Sequence, residues 1–286
     1  MVRALGITGL FRLALTVTFL MTVVSGCANF KEIKAFASLS SSAATHDALT
    51  RDYIGALERR KQYQPQKFHS ELEAQKMRRE AQRAGLDVLQ QTVADYMQGL
   101  GGLAAGEIRT YDKSLDDLSE RLNKVTLLSD DEKDAVGALS TLLARTVTAA
   151  YREHEISKLI RDANKPLQDV IKATRKIVVK GMAADLQVEF ALVGRYYDNF
   201  ILAPNNPQEP VAMALANEAR VEALRRVDDR LRAAQRYDVI LEKIAQGHQY
   251  LFDHRDSLGD EELERQFKPY VDALRAAYRD LLDVSR

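Results

Sequence analysis

The sequence predicts an all-α fold, an elongated bundle of long antiparallel helices with coiled-coil-like packing. Three observations predict it. Downstream of residue 27, apolar residues recur at alternating spacings of three and four, the seam of a helix packed on other helices, and no sustained period-two alternation marks a strand. Half of the 6 prolines fall in the short segment 204–210, which separates two long periodic stretches. With 46% of 286 residues apolar, the chain can bury a sizeable core and is not disordered as a whole.

The elements follow in order. The capping-box pair Asn29 and Glu32 opens a first helix whose seam runs through Phe36, Leu39, Ala43, His46, Thr50, Tyr53 and Leu57. The serine run at 40–42 leaves open that the start of this segment is a tether. Pro65 ends it. A second helix carries Phe68, Leu72, Leu86, Leu89, Val93, Tyr96, Leu100 and Leu103 on one face. Gln75, Arg79 and Gln82 interrupt that seam, which predicts a stretch projecting beyond the core. Gly99, Gly101, Gly102 and Gly106 predict a hinge or turn over 99–106, since each interior glycine costs roughly 1 kcal/mol relative to alanine. A short helix follows with Ile108, Tyr111, Leu115, Leu118, Leu122 and Val125.

Ser129 and Glu132 form the clearest capping box, with Asp130 and Asp131 in the first turn where the helix dipole favours negative charge. The helix they open is predicted to last to Asn164 and Pro166, a boundary or kink. The next, with a seam of Leu167, Val170, Thr174, Ile177, Gly181, Ala184, Val188 and Ala191, is predicted to reach Leu202, about 55 Å at 1.5 Å per residue. A loop occupies 203–210. Beyond it, Met213, Leu224, Val227, Leu231, Ala234, Leu241, Ala245 and Phe252 predict a helix of roughly 65 to 70 Å. A last helix after Gly259 and Asp260 carries Leu263, Phe267, Tyr270, Leu274 and Leu281, with a kink or restart expected at Pro269.

The first thirty residues have a different character. Arg3 and Arg12 precede a short apolar core, Leu13 to Val24, and then Ser25, Gly26 and Cys27. This is the layout of an export signal. As a helix the apolar run would span about 18 Å, short of the roughly 30 Å hydrocarbon core of a bilayer. An uncleaved anchor from Ala4 to Val24 is interrupted by Arg12, and a buried amino-terminal helix leaves Cys27 without a role.

The run Val24, Ser25, Gly26, Cys27 resembles the lipobox of bacterial lipoproteins, in which an aliphatic residue and two small residues precede a lipidated cysteine. The aliphatic position is most often Leu in that class and is Val24 here. The resemblance implies cleavage between Gly26 and Cys27, diacylglycerol on the Cys27 sulfur and acylation of the new amino terminus. The domain organisation it implies is a signal peptide at 1–26 and one periplasmic helical-bundle domain at 27–286. Ala28, where enteric lipoproteins retained in the inner membrane carry Asp, implies an outer-membrane address facing the periplasm. Cys27 is the 1 cysteine of the chain, so an exported form has no second thiol with which to mispair. Several acyl chains, at about 0.8 kcal/mol per buried methylene, exceed what stable anchoring needs.

Charge narrows the function classes. Lys and Arg number 41, Asp and Glu 41, so no overall basic excess points to nucleic acid. Between Val170 and Ala184, however, Lys172, Arg175, Lys176 and Lys180 have no acid among them, and three of them recur every four residues. That stripe is a solvated face or a contact for anionic headgroups or an acidic partner. None of His46, His69, His154, His248 and His254 is four residues from another, so the helical two-imidazole metal arrangement is absent, and no cofactor is predicted. His46 and His248 fall on predicted seams and are expected to be hydrogen-bonded core residues. Gly247 and His248 begin the Gly-x-His-x-x-Glu motif of imelysin-type proteins, but no glutamate stands at the needed spacing. The carboxylate groups at 116–117, 130–132 and 260–264 sit near helix starts, where they complement helix dipoles. Tyr196, Tyr197 and Phe200 precede the Pro-rich loop, and two adjacent tyrosines cannot share one helix face. One of them is therefore expected at the surface or at a contact.

The function expected from these features is a lipid-anchored, non-catalytic interaction or scaffold module for another envelope component. Two alternatives stand beside it. One is an envelope binding or inhibitor protein of the immunity type; the other is an enzyme whose histidines and carboxylates meet only in three dimensions, with a polar pocket between helices.

Overall fold

The computed structural model describes residues 30–107, 121–126, 128–144, 152–202 and 209–284. The fold is all-α, a bundle of helices packed on one another, and no strand occurs among the described residues. Its elements are α1 (Lys31–Ala44), α2 (Asp47–Lys61), α3 (His69–Ala105), α4 (Asp130–Ala144), α5 (Arg152–Ile177), α6 (Ala184–Ile201), α7 (Pro210–Asp253) and α8 (Glu261–Val284). A π-helical turn, Val178–Ala183, joins α5 to α6 without interrupting the rod. The 44-residue α7 is about 66 Å long and forms the spine: α8, α6 and α5 pack on it, while α3 packs against α1, α2 and α5.

Local chemistry fixes several helix ends. The Ser129 backbone N–H donates to Glu132 Oε2 at 2.8 Å and the Glu132 N–H to Ser129 Oγ at 3.3 Å, the reciprocal capping box that the sequence predicts. Pro210 opens α7, whose Ala212 N–H donates to the Glu209 carboxylate at 2.8 Å. At the end of α3, Gly106 takes the left-handed conformation (φ 78°), and its N–H and that of Glu107 return to the carbonyls of Leu103 and Gly102. This is a Schellman closure, which a residue bearing a Cβ would strain. Gly99, Gly101 and Gly102 lie inside α3, so the turn sits at Gly106 alone and 99–105 is helix rather than hinge.

Four further expectations are corrected. The first helix is two helices, broken at Thr45 and His46. The break is held by buried polar partners: Tyr237 Oη donates to the Ala44 carbonyl at 2.5 Å and Gln90 Oε1 accepts from the His46 N–H at 2.7 Å. The expected helix from 129 to 164 is two antiparallel elements, since Lys176 near the end of α5 reaches Glu132 at the start of α4 at 3.3 Å. Residues 145–151 lie outside the described residues. Neither Pro166 nor Pro269 breaks its helix. The buried seam of α5 (Ile156, Ile160, Ala163, Leu167, Val170) continues across Pro166, and its packing outweighs an interior-proline cost of about 3 kcal/mol. The predicted short helix from Ile108 to Val125 lies outside the described residues up to 120; beyond that point 121–123 are helical and Leu122 and Val125 are buried. Asn29 and 203–208 of the predicted loop also lie outside the described residues.

The fourth correction concerns the face that α6 buries. A seam continued at α-helical spacing puts Ala184, Val188 and Ala191 inside; all three are exposed, and the buried residues are Leu186, Glu189 and Val193. The π turn explains the difference. Its extra residue rotates everything downstream by about one residue's worth of helical angle, roughly 100°. A glutamate thereby enters the interior and a valine leaves it.

Candidate functional site

The densest polar constellation among the described residues lies where α2, α3, α6 and α7 meet, beside the π turn. Asp185 accepts a two-pronged contact from Arg79 (2.9 and 2.9 Å) and an ion pair from Arg60 at 3.0 Å. Glu189, only 1% exposed, accepts Arg59 Nε at 2.7 Å and Nη2 at 2.9 Å. Arg59 and Arg230 both also reach Asp52, at 2.9 and 3.1 Å. Arg79 additionally donates to the Tyr53 carbonyl at 2.6 Å, and its guanidinium lies 3.9 Å from the centre of the Tyr53 ring. Four guanidiniums thus surround three carboxylates. Burial pushes the Asp52 carboxyl above its usual range, against the opposing pull of Arg59 and Arg230. The arginines are planar, fixed donors whose hydrogen bonds fasten α2 and α3 to α6. The interruption of the α3 seam at Arg79 marks this contact, so that stretch does not project away from the core.

A second polar group lies further along α7. His248 is fully buried, its Nε2 2.6 Å from Tyr96 Oη and its Nδ1 2.9 Å from Asn164 Oδ1. Because the Asn164 amide nitrogen donates to Gln249, its oxygen faces His248, which makes Nδ1 the donor and Nε2 the acceptor of the Tyr96 hydroxyl. Every polar atom of the imidazole is satisfied in the neutral form, and burial holds its pKa down to about 3. Gly247 beside it is required by space, since a Cβ there would overlap the Phe36 ring. His248 is therefore the hydrogen-bonded core residue expected. His46 is only half-buried at the α1–α2 corner, where burial lowers its pKa against the pull of Asp47.

Other candidates are dispersed. Arg175 is bound to Asp238 (2.8 and 3.1 Å) and Glu242 (3.1 Å), and Lys176 to Glu132, so acids from α7 and α4 meet half of the basic stripe. Lys180 is exposed, and Lys172 borders an open groove of about 1080 Å³ between α4 and α5 that also contains Asp131, Asp134, Asp162, Lys165 and Asp169. His69 Nε2 faces the Gln64 carbonyl at 3.1 Å, His254 stacks on Tyr250, and His154 is exposed. No group of three or more His, Cys, Asp or Glu suited to a metal occurs among the described residues. Of the carboxylates, 130–132 and 261–264 occupy first helical turns and 116–117 lie outside the described residues. Gly26 and Cys27 lie outside them too.

One surface feature escaped the periodicity argument. The large apolar side chains that remain exposed gather toward the α6–α7 hairpin: Val188, Phe190, Tyr196, Phe200, Leu202, Val211, Leu215 and Val221 all belong to it. Tyr196 is half exposed and forms an edge-to-face cluster with Tyr63 and Tyr197, with ring centres 5.5 and 5.3 Å away. In α7, burial begins only at Ala223, so the outer part of the hairpin stands clear of the core. The amino-terminal end of the described chain lies at the opposite end of α7. Tyr237 meets Ala44, Gly247 meets Phe36 and Tyr250 stacks near Phe267, which places Phe30 roughly 60 Å from the hairpin tip.

No helix among the described residues is long and apolar enough to cross a membrane. Compared with protein-family models, curated proteins and solved structures, the chain matches none.

Proposed function

We propose that this chain is a lipid-anchored protein of the cell envelope, attached through Cys27 to the periplasmic face of the outer membrane, and that it acts there as a non-catalytic interaction or scaffold module. The observation that carries the reading is polarity along the long axis: the end nearest Cys27 and the end rich in exposed apolar side chains are separated by roughly 60 Å. Two residues, Ala28 and Asn29, separate Cys27 from the buried Phe30, so an acyl anchor would hold the bundle against its membrane while α7 carries the hairpin away from it. Confinement to a surface raises the effective concentration of such a module for membrane-bound partners. The lipobox-like run Val24-Ser25-Gly26-Cys27 supports the attachment. The buried histidine supports a structural role, since both of its ring nitrogens are committed inside the bundle.

The test is replacement of Cys27 by Ala in the full chain, expressed in a Gram-negative host. Lipid labelling should disappear, and mass spectrometry of the wild type should find residues 1–26 removed and acyl groups on Cys27. Lipid that persists in C27A, or a wild-type chain that keeps its initiator methionine, overturns the assignment.

A further inference from the structure

We infer that residues 53–84, the outer part of α2, the turn at Pro65 and the first part of α3, form a latched arm that swings off α6 and α7 and re-docks as a unit while the main bundle stays folded. The two helices of the arm are tied to each other. Arg79 donates to the Tyr53 carbonyl at 2.6 Å, Lys61 pairs with Glu73 and Lys76 with Glu58. At the base of the arm, Gln90 accepts from the His46 N–H at 2.7 Å and donates to Thr50 Oγ1 at 3.1 Å, which marks the pivot. The arm also has its own buried apolar side chains, Ile54, Ala56, Leu57 and Leu72, which stand apart from the continuous core of the bundle. From Glu73 to Ala84 no residue of α3 is fully buried, and Gly85, close against Val125, is where the helix enters that core.

What holds the arm down is charge. Asp185 and Glu189 on α6 take Arg60, Arg79 and Arg59 from the arm, and beside the pivot Asp52 takes Arg230 of α7. Among the described residues, only the half-buried Tyr53 and Tyr63 carry apolar contact from the arm to the continuous core. An apolar seam gains with every side chain it covers, whereas a buried ion cluster must first recover the desolvation of each charge it hides. This cluster recovers it incompletely: four guanidiniums meet three carboxylates, and Arg60 Nε is buried without a partner among the described residues. Water serves that donor and the surplus charge once the arm lifts, so the docked and released states lie close in free energy. Release turns out two complementary faces that docking hides, acidic on α6 and basic on the arm.

The experiment is pulsed dipolar electron paramagnetic resonance on the full chain, spin-labelled through Q66C at the arm tip and Q235C on α7 in a C27A background, which removes the native cysteine. Both labelled positions are exposed. With the latch intact, a short distance should dominate and a longer one should form a minority. D185A should make the longer distance the majority while the helical circular dichroism of the bundle is retained, and D185N should raise it to an intermediate level. G247A, which disturbs the core beside Phe36 and leaves the latch untouched, should keep the distribution of the intact latch. An unchanged distribution in folded D185A, or in D185N where D185A fails to fold, overturns the inference. So does a longer distance that G247A raises as much as D185A, since the arm would then loosen only with the whole bundle. The inference does not rest on lipid at Cys27, and the C27A background keeps the two questions separate.

Discussion

Replacing Asp185 by Ala should cost this protein a large part of its stability. The carboxylate receives Arg79 at 2.9 Å through both prongs and Arg60 at 3.0 Å, and the three side chains are 10%, 13% and 7% exposed. Its removal leaves two guanidiniums away from water with most of their charge uncompensated. Breaking a buried pair in this way costs about 3–5 kcal/mol, against a total folding stability of about 5–15 kcal/mol for a typical domain. Two residual contacts moderate the loss: Arg79 keeps the Tyr53 carbonyl, and Arg60 keeps the Asp185 backbone carbonyl at 3.1 Å, which the substitution does not remove. The expected loss for D185A is therefore about 3 kcal/mol. Asp185→Asn, which can still accept a hydrogen bond from one arginine, should lose about half as much. Urea unfolding at pH 7, followed by helical circular dichroism, reads both as a drop in midpoint at an unchanged slope. In a double-mutant cycle, R60M should cost much less in the D185A background than in the wild type. A D185A loss below about 1 kcal/mol, the level of a solvent-exposed pair, would refute the claim that this cluster holds α2 and α3 to α6.

Three further outcomes are expected. His248 remains neutral in the folded protein down to about pH 3, whereas the unfolded chain binds its proton near the ordinary histidine value of about 6.5. The unfolded state therefore binds more protons across that window, and the histidine's contribution to stability, complete above pH 6.5, falls by about 1.4 kcal/mol per pH unit as the solution is acidified. Urea midpoints between pH 4 and 7, with Tyr and Gln substitutions at 248 as references, measure it; an imidazole NMR signal titrating near 6.5 in the folded protein would contradict it. Tyr96→Phe removes the hydroxyl that satisfies Nε2 and should cost about 1–3 kcal/mol by the same measurement. Gly247→Ala forces a methyl into the Phe36 ring and should cost about 1–3 kcal/mol, while G137A, at a site with nothing within 4 Å, should cost nothing or stabilise slightly.

How much of this was readable from the residues depends on the range of the physics involved. The capping box at Ser129 and Glu132 and the seam of α5 from Leu167 to Ile177 are local, and local patterns predict them, whereas Pro210, expected in the loop, is the first residue of α7. The break at Thr45 and His46 is not local: it rests on Gln90 and Tyr237, which come from α3 and α7. The survival of α5 through Pro166 likewise depends on the partners of Leu167 and Val170. The basic stripe looked unpaired because its acids, Glu132, Asp238 and Glu242, come from other helices. The charged cluster was the largest omission. Glu189 looks like a surface residue when a straight α-helical register is extended from α5, and only the π turn carries it inside. A partial signal was present in Arg79, which interrupts the seam of α3 where it reaches Asp185.

The π turn also changes how substitutions in this rod should be interpreted. Before Val178, heptad position alone separates tolerant sites from intolerant ones; after Ala183 the same rule misassigns them, favouring changes at Glu189 and protecting Val188 when the opposite holds. A library scored by sequence periodicity would thus discard its safest variants in α6 and retain its most damaging ones. One inserted residue, invisible to composition, sets the mutational grammar for everything up to the hairpin tip.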